Sequence, residues 1–212
     1  MRFVRHHRRW LARRGLLDRP WLVLGSAPSP AIPASLPANV AHVHVKYAGH
    51  SARKLGLPDA DLAWLLNKTT PEQIAGLSIG QVLRLRKKLS TRERLNRVFG
   101  QCAMAECQLT SRERDEAIVG IAGSLFGDAG KDVRPSSGVA VICYALAVGV
   151  PKVMVAGIAL DRDGYEYETG NLPRRHAPED RAALRAIAVR GLPVFTAEPS
   201  LIAQAGLASL EE

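Results

Sequence analysis

Apolar positions along the chain fall into short continuous runs, separated by polar segments rich in proline and glycine and by stretches with helical periodicity. Trp21-Leu22-Val23-Leu24-Gly25 is an apolar run closed by glycine and reads as a buried strand. It passes into SAPSPAIPASLP, whose closely spaced prolines forbid a long helix and predict a shaped loop. Val40 to Val45 alternates apolar residues with His42 and His44 and predicts the next strand. Ala60 to Leu66 fits either a third strand or a buried helical turn, and periodicity does not decide over so short a run. The stretch from about 69 to 115, rich in Arg, Glu and Leu, predicts a mostly helical insertion lying over the sheet. Inside it, Thr70-Pro71-Glu72 is a start signal for a helix over roughly 71–89 that buries Ile74, Leu77, Val82, Leu85 and Leu89.

The final third is the most regular. Ser136 or Ser137 caps a helix through SGVAVICYALAVGV, apolar nearly all round and therefore deeply buried, with Gly149 and Pro151 ending it. Lys152 to Ile158 is a continuous apolar strand of the kind found inside parallel sheets. A polar loop leads to a helix from Pro178 to about Arg190, closed by Gly191. A strand at Leu192–Phe195 and a last helix over 199–209 follow. This alternation predicts an α/β fold: an open, Rossmann-like, mostly parallel sheet with helices on both faces. Residues 20–212 form one such domain, preceded by a basic N-terminal arm over 1–19.

At 212 residues, with 47% hydrophobic and 23% charged positions, the chain is long enough for one sizeable core. No apolar run approaches the roughly 20 residues of a membrane helix, and the start has no signal-peptide core, so a cytoplasmic protein is expected. Cys102, Cys107 and Cys143 form no CxxC pair, which disfavours a disulfide scaffold or a structural zinc knot, and Cys143 reads as plain core.

The net charge of +9 is uneven. Residues 1–19 carry seven arginines against Asp18, and residues 84–97 carry seven basic residues against Glu93, so the remainder is mildly acidic. That argues against a nucleic-acid-binding surface spread over the fold and for local attraction to an anionic partner. The first segment fits a solvated basic arm, or a short helix that sets Phe3, Trp10, Leu11 and Leu17 on the inner face of a membrane as a peripheral contact. The second reads as the polar face of a helix, able to face an anionic acceptor.

In open parallel sheets ligands bind at the carboxyl ends of strands. Three segments fit: Gly25-Ser26-Ala27-Pro28-Ser29, Pro135-Ser136-Ser137-Gly138, and Asp161 to His176. Neither G-x-G-x-x-G nor G-x-x-x-x-G-K-[ST] occurs, so a dinucleotide oxidoreductase or P-loop NTPase has no motif support. Small hydroxyl residues opening a helix present free N–H groups and a positive dipole end, which suits an anionic ligand and is also ordinary capping chemistry. His176 precedes Ala177-Pro178-Glu179-Asp180, a helix start. The dipole there favours a neutral imidazole able to take a proton from a hydroxyl, and Arg174 and Arg175 push the same way. A capping or merely exposed histidine fits equally well.

The run PSSGVAVICYALAVGVPKVMVAGI, the Gly164-x-x-Tyr167 after it, and then H-x-x-x-D-x-x-A-L resemble bacterial sialyltransferases, most closely glycosyltransferase family 42 and more loosely family 29. LVLGSAPS resembles the G-N-G-P-S loop of those enzymes. The resemblance covers about 135–202 and, locally, 22–29. It implies inverting, metal-free transfer of a sugar from a CMP-linked donor, typically CMP-sialic acid, to the hydroxyl of a glycan or glycolipid acceptor, with no cofactor. It also implies donor binding by Gly25, Ser26, Pro28, Ser29, Lys46, Ser136, Ser137, Gly138 and Gly157, with Ser137 near the sugar carboxylate. Tyr167 falls on a tyrosine that hydrogen-bonds the departing phosphate, and His176 on the general base. Four positions depart from the family pattern: Ser26 and Lys46 stand where it has asparagines, Ala159 where it has aspartate, and Asp161 where it has the first of two tyrosines.

Two alternatives stay open. Asp161-Arg162-Asp163 resembles the D-x-D motif of metal-dependent nucleotide-sugar transferases, although a turn at Gly164 explains it as well. A non-catalytic domain binding a nucleotide or an anionic glycan is the other.

Overall fold

The computed structural model describes residues 1, 3–100, 105–126, 134–167 and 176–210. Among these, eight strands form one sheet: β1 (Trp21–Leu24), β2 (Ala41–Val45), β3 (Ala60–Leu66), β4 (Ile79–Arg86), β5 (Glu106–Thr110), β6 (Val153–Ala156), β7 (Val194–Thr196) and β8 (Ala208–Ser209). The helices are α1 (Val4–Ala12), α2 (Ala48–Lys54), α3 (Thr91–Phe99), α4 (Ser111–Ala122), α5 (Ser137–Val148), α6 (Ala177–Val189) and α7 (Pro199–Ala205). The strand order is β5-β4-β3-β2-β1-β6-β7-β8 and every pairing is parallel. The chain winds outward from β1 to β5, then returns through α4 and α5 to place β6 on the other side of β1. The point where the winding reverses, between β1 and β6, is where such sheets open a ligand crevice.

Side chains alternate across the sheet. Trp21 and Val23 of β1 enter the main core, with Val43, Trp64, Leu83, Leu109 and Val155 from the other strands and the apolar residues of α1, α4, α5 and α6. Leu22 and Leu24 face the opposite side, where Met154, Ala156, and Ala48 and Ala52 of α2 cover them. Helix α5 explains its own composition: it packs on β1, β2 and β6 beneath α1, α4 and α6, and nine of its twelve residues are buried. Gly149, at φ 83°, ends it in the left-handed conformation that glycine adopts without strain.

Two expectations are corrected here, and one left open is decided. Residues 71–89 are not a helix, and 69–115 is not a helical insertion. After a 3-10 turn at Glu72–Ile74, the chain enters β4 and later β5, which extend the sheet. Leu83 and Leu85 alternate with Arg84 and Arg86, a period of two that fits the pleat, and among the described residues of that stretch α3 and the start of α4 are the α-helical parts. Ala60–Leu66 is a strand, central in the sheet.

Residues 1–19 are not a loose arm. Phe3, Trp10, Leu11 and Leu17 are in the core, which removes them from any membrane face, and α1 packs on α5. Several arginines of the segment serve the fold: Arg8 donates to the Val148 carbonyl at 2.5 Å, Arg14 to Gln81 at 2.5 Å, and Arg19 pairs with Asp61 at 3.1 Å. At the other end, the last helix stops at Ala205 and Ala208–Ser209 adds the edge strand β8. No helix among the described residues is long and apolar enough to cross a membrane.

Candidate active site

The loops at the carboxyl ends of β1, β2, β3 and β6, together with the N-termini of α5 and α6, enclose a cleft of about 970 Å³. Gly25, Ser26, Lys46, Ser136, Ser137, Gly138, Gly157, Tyr167 and His176 all line it. Of the donor-binding residues implied by the resemblance, Pro28 and Ser29 do not line the cleft. Their carbonyls accept from Arg162 at 2.8 and 2.6 Å, and the Ser29 N–H donates to Glu166 at 2.6 Å, so they brace the loop from outside.

Close backbone approach sets the floor. Gly25 donates to the Ala156 carbonyl at 2.8 Å and Ala27 to the Gly157 carbonyl at 2.9 Å, zipping the first loop to the end of β6. A Cβ on Gly25 would lie 2.2 Å from the Gly157 oxygen, and Gly157 sits at φ 66°. Both positions therefore require glycine.

Beneath this floor lies Glu198, fully buried. One of its oxygens accepts from the Gly157 N–H at 2.8 Å and the Ala31 N–H at 3.0 Å; the other accepts from Arg162 at 2.5 Å. One carboxylate thus ties together the loop after β1, the end of β6 and the loop that carries Arg162.

The N-terminus of α5 forms one wall. Ser136 is the N-cap but its side chain makes no capping hydrogen bond, so the first N–H groups of the helix remain available to an anion. The Ser136 N–H donates to the buried Asp180 carboxylate of α6 at 2.6 Å, which locks the starts of α5 and α6 side by side. His176 is the N-cap of α6, and its buried Nδ1 has no hydrogen-bond partner among the described residues.

Aromatic rings form the opposite wall. Tyr165 and Tyr167 stack with centroids 5.3 Å apart, and Tyr47 and His50 pack against Tyr167 at 6.1 and 6.2 Å. The His50 ring meets the Gln73 carbonyl at 3.0 Å. Lys54 pairs with Glu166 at 2.8 Å and fixes the strip that bears both tyrosines.

Lys46 stands at the mouth of β2 at φ 56°, a left-handed conformation that costs a non-glycine residue on the order of 1 kcal/mol. Burial, with Lys68 beside it, pushes its ammonium below the usual lysine range, against a smaller pull upward from Asp180. It makes no ion pair among the described residues. Two lysines and two helix N-termini therefore make the cleft a site for negative charge.

Tyr47, His50, Lys68, Glu72 and Gln73 also line the cleft and escaped the sequence reading, while Arg162 and Tyr165 line it from within the segment Asp161 to His176. Tyr47 and His50 follow the predicted second strand directly, and that adjacency was the available signal. Asp161 and Asp163 of the D-x-D triplet are exposed and do not line the cleft; Asp161 lies 3.7 Å from Arg162. Ala159 is buried. The one group among the described residues with metal-ligand spacing, His6, Glu93 and Cys107, lies elsewhere and already holds Arg97. Cys143 is fully buried, which pushes its thiol up to about 12 and leaves it an inert core group. Cys102, Arg174 and Arg175 fall outside the described residues.

The chain shares its fold with solved bacterial sialyltransferases. It is similar to the alpha-2,3-sialyltransferase Cst-I of Campylobacter jejuni, with a TM-score of 0.63 and 14% identity over 90% of this chain and 80% of that one. It is also similar to CstII of the same organism in complex with the substrate analogue CMP-3FNeuAc (TM-score 0.62, 12% identity, 90% and 86% covered). A further match is that sialyltransferase in complex with a trisaccharide acceptor and CMP (TM-score 0.61, 14% identity, 90% and 86% covered). No protein-family model matches the chain. No curated protein matches it by sequence.

Proposed function

We propose that the protein is a sialyltransferase-like glycosyltransferase that moves a sugar from a CMP-linked donor to an acceptor hydroxyl with inversion and without a metal. One observation carries the reading. The serine turn at 136–138, Tyr167 and His176 come from three separate segments and line one cleft, at the reversal point of a sheet whose fold is that of the sialyltransferases.

The roles follow from chemistry and placement. The N–H groups of α5 and the hydroxyls of Ser136 and Ser137 receive an anionic part of the donor, with Ser137 nearest the sugar carboxylate. Gly25, Ser26 and Gly157 admit the nucleotide against bare backbone. Lys46 meets the phosphate as a point charge where an amide stands in the family. His176 takes the acceptor hydroxyl proton as that oxygen bonds to the anomeric carbon. The bond from that carbon to the phosphate oxygen breaks, and CMP leaves with the electron pair. Tyr167 donates to the phosphate as its charge builds, so the contact strengthens in the transition state and lowers the barrier. The acceptor is a glycan or glycolipid lying against the tyrosine wall.

The test is transfer from CMP-sialic acid to a lactoside acceptor, with EDTA and with added Mn²⁺. CMP release that requires acceptor and survives EDTA is expected. Loss with EDTA and recovery with Mn²⁺ would refute the metal-free mechanism. CMP binding without turnover of any CMP-sugar would assign the cleft to a binding protein.

A further inference from the structure

Helix α3 is turned inside out relative to an ordinary surface helix. Its inward face is polar: Glu93 is buried and pairs with His6 at 3.2 Å and with Arg97 at 3.3 Å, while Arg97 also pairs with Glu113 and donates to the Gln108 carbonyl. Its large apolar residues face water, with Leu95 52%, Val98 76% and Phe99 70% exposed. At about 100° per residue, the outer face reads in order Arg94, Val98, Leu95, Phe99, Arg92. A continuous apolar stripe is thus bordered on each side by an exposed arginine. Exposed Lys87 and Lys88 precede the helix, and none of these four cations has an acidic partner among the described residues. The ion pairs underneath fix the helix in this rotation, so the stripe cannot turn inward.

We propose that α3 docks the protein on an anionic lipid surface. An apolar stripe edged with arginine matches the boundary between acyl chains and headgroups: Leu95, Val98 and Phe99 enter the apolar side while Arg92 and Arg94 reach lipid phosphates. Charge decides between lipid and a second copy of the chain. Pairing two stripes would bring like-charged arginine borders together, which opposes self-association, whereas phosphate headgroups neutralise them. This surface is not the cleft, and the inference stands whether or not the proposed transfer reaction is correct.

The test is sedimentation with vesicles of phosphatidylcholine alone and of phosphatidylcholine mixed with phosphatidylglycerol, at low and high salt. The intact chain is expected to sediment with the mixed vesicles, far less with phosphatidylcholine alone, and less at high salt. Leu95→Ser with Phe99→Ser, and separately Arg92→Gln with Arg94→Gln, each weaken binding about tenfold while leaving the circular dichroism and melting temperature unchanged. An intact chain that stays in the supernatant with mixed vesicles, or variants that bind as it does, overturns the proposal. A dimer by light scattering that Leu95→Ser with Phe99→Ser converts to monomer, without lipid binding by the intact chain, overturns it in favour of a homodimer face.

Discussion

Arg162 and Glu198, 36 positions apart in the chain, meet through a 2.5 Å contact that ties three loops of the cleft together. Glu198 is fully buried, whereas the Arg162 side chain keeps 32% of its accessibility. Replacing Glu198 with Gln leaves an acceptor for the Gly157 and Ala31 N–H groups but removes the charge that balances Arg162. Glu198→Gln should cost about 2 kcal/mol, below the usual range for a broken buried pair because water still reaches Arg162. Urea denaturation measures this, and an unchanged midpoint would show that the carboxylate is not the hub.

Gly25 has no room for a side chain. Because a Cβ there would meet the Gly157 oxygen at 2.2 Å, Gly25→Ala must push β1 and β6 apart at their carboxyl ends. Either folding fails or the cleft floor opens, so the variant should lose nucleotide-induced stabilisation in a thermal-shift assay. Full retention would place the nucleotide elsewhere.

In the proposed reaction, substitutions at His176 and Tyr167 separate binding from chemistry. His176→Ala should leave CMP affinity nearly intact and lower turnover about a hundredfold or more, the scale of a lost general base. Tyr167→Phe should slow turnover about tenfold at unchanged acceptor KM, because in the proposed reaction its hydroxyl meets a charge that develops late. Steady-state kinetics with calorimetry separate these effects; normal rates in both variants would remove these residues from the mechanism.

How much of this was legible in the chain depended on whether a pattern was local. Helix α5 and strand β6 declare themselves, because a segment buried on every side must be apolar throughout. Strand β4 hid because Arg84 and Arg86 occupy alternate positions and find partners only across the sheet, Arg84 with Glu106 at 2.8 Å and Arg86 with Asn67 at 2.8 Å. Helix α1 looked like a free basic arm for the same reason: its arginines are visible in the sequence and the carbonyls that receive them are not. In the cleft, the serine turn and His176 were marked by their place at helix starts, and Tyr167 only by the resemblance to sialyltransferases. Glu198 carries no local signal, since its role depends on three loops meeting.

Lys46 should distinguish phosphate from nucleoside. Lys46→Met is expected to weaken CMP about tenfold and leave cytidine unaffected, as loss of one charge-assisted contact requires. Since burial and Lys68 hold its ammonium below the usual range, CMP affinity should fade with rising pH earlier than for an ordinary lysine. Equal losses for CMP and cytidine would make Lys46 a structural residue.

His44 sets an acid limit on stability. It is buried with Nε2 unpartnered among the described residues, and burial, with His42 adding to it, depresses its pKa from 6.5 to about 4. The unfolded chain therefore takes up this proton before the folded one does. The contribution is complete above 6.5 and is lost as pH falls through the window down to about 4. The full loss is on the order of 3 kcal/mol. Urea titrations across that window should show the decline in the native chain and a shallower one in His44→Phe.

Calorimetric titration of CMP, UDP and GDP into the protein asks most directly whether the cleft was built for a cytidine donor. Saturable, one-to-one binding of CMP in EDTA is expected, with UDP and GDP much weaker and Lys46→Met impaired. Equal affinity for all three nucleotides, or heat from none of them, would contradict it.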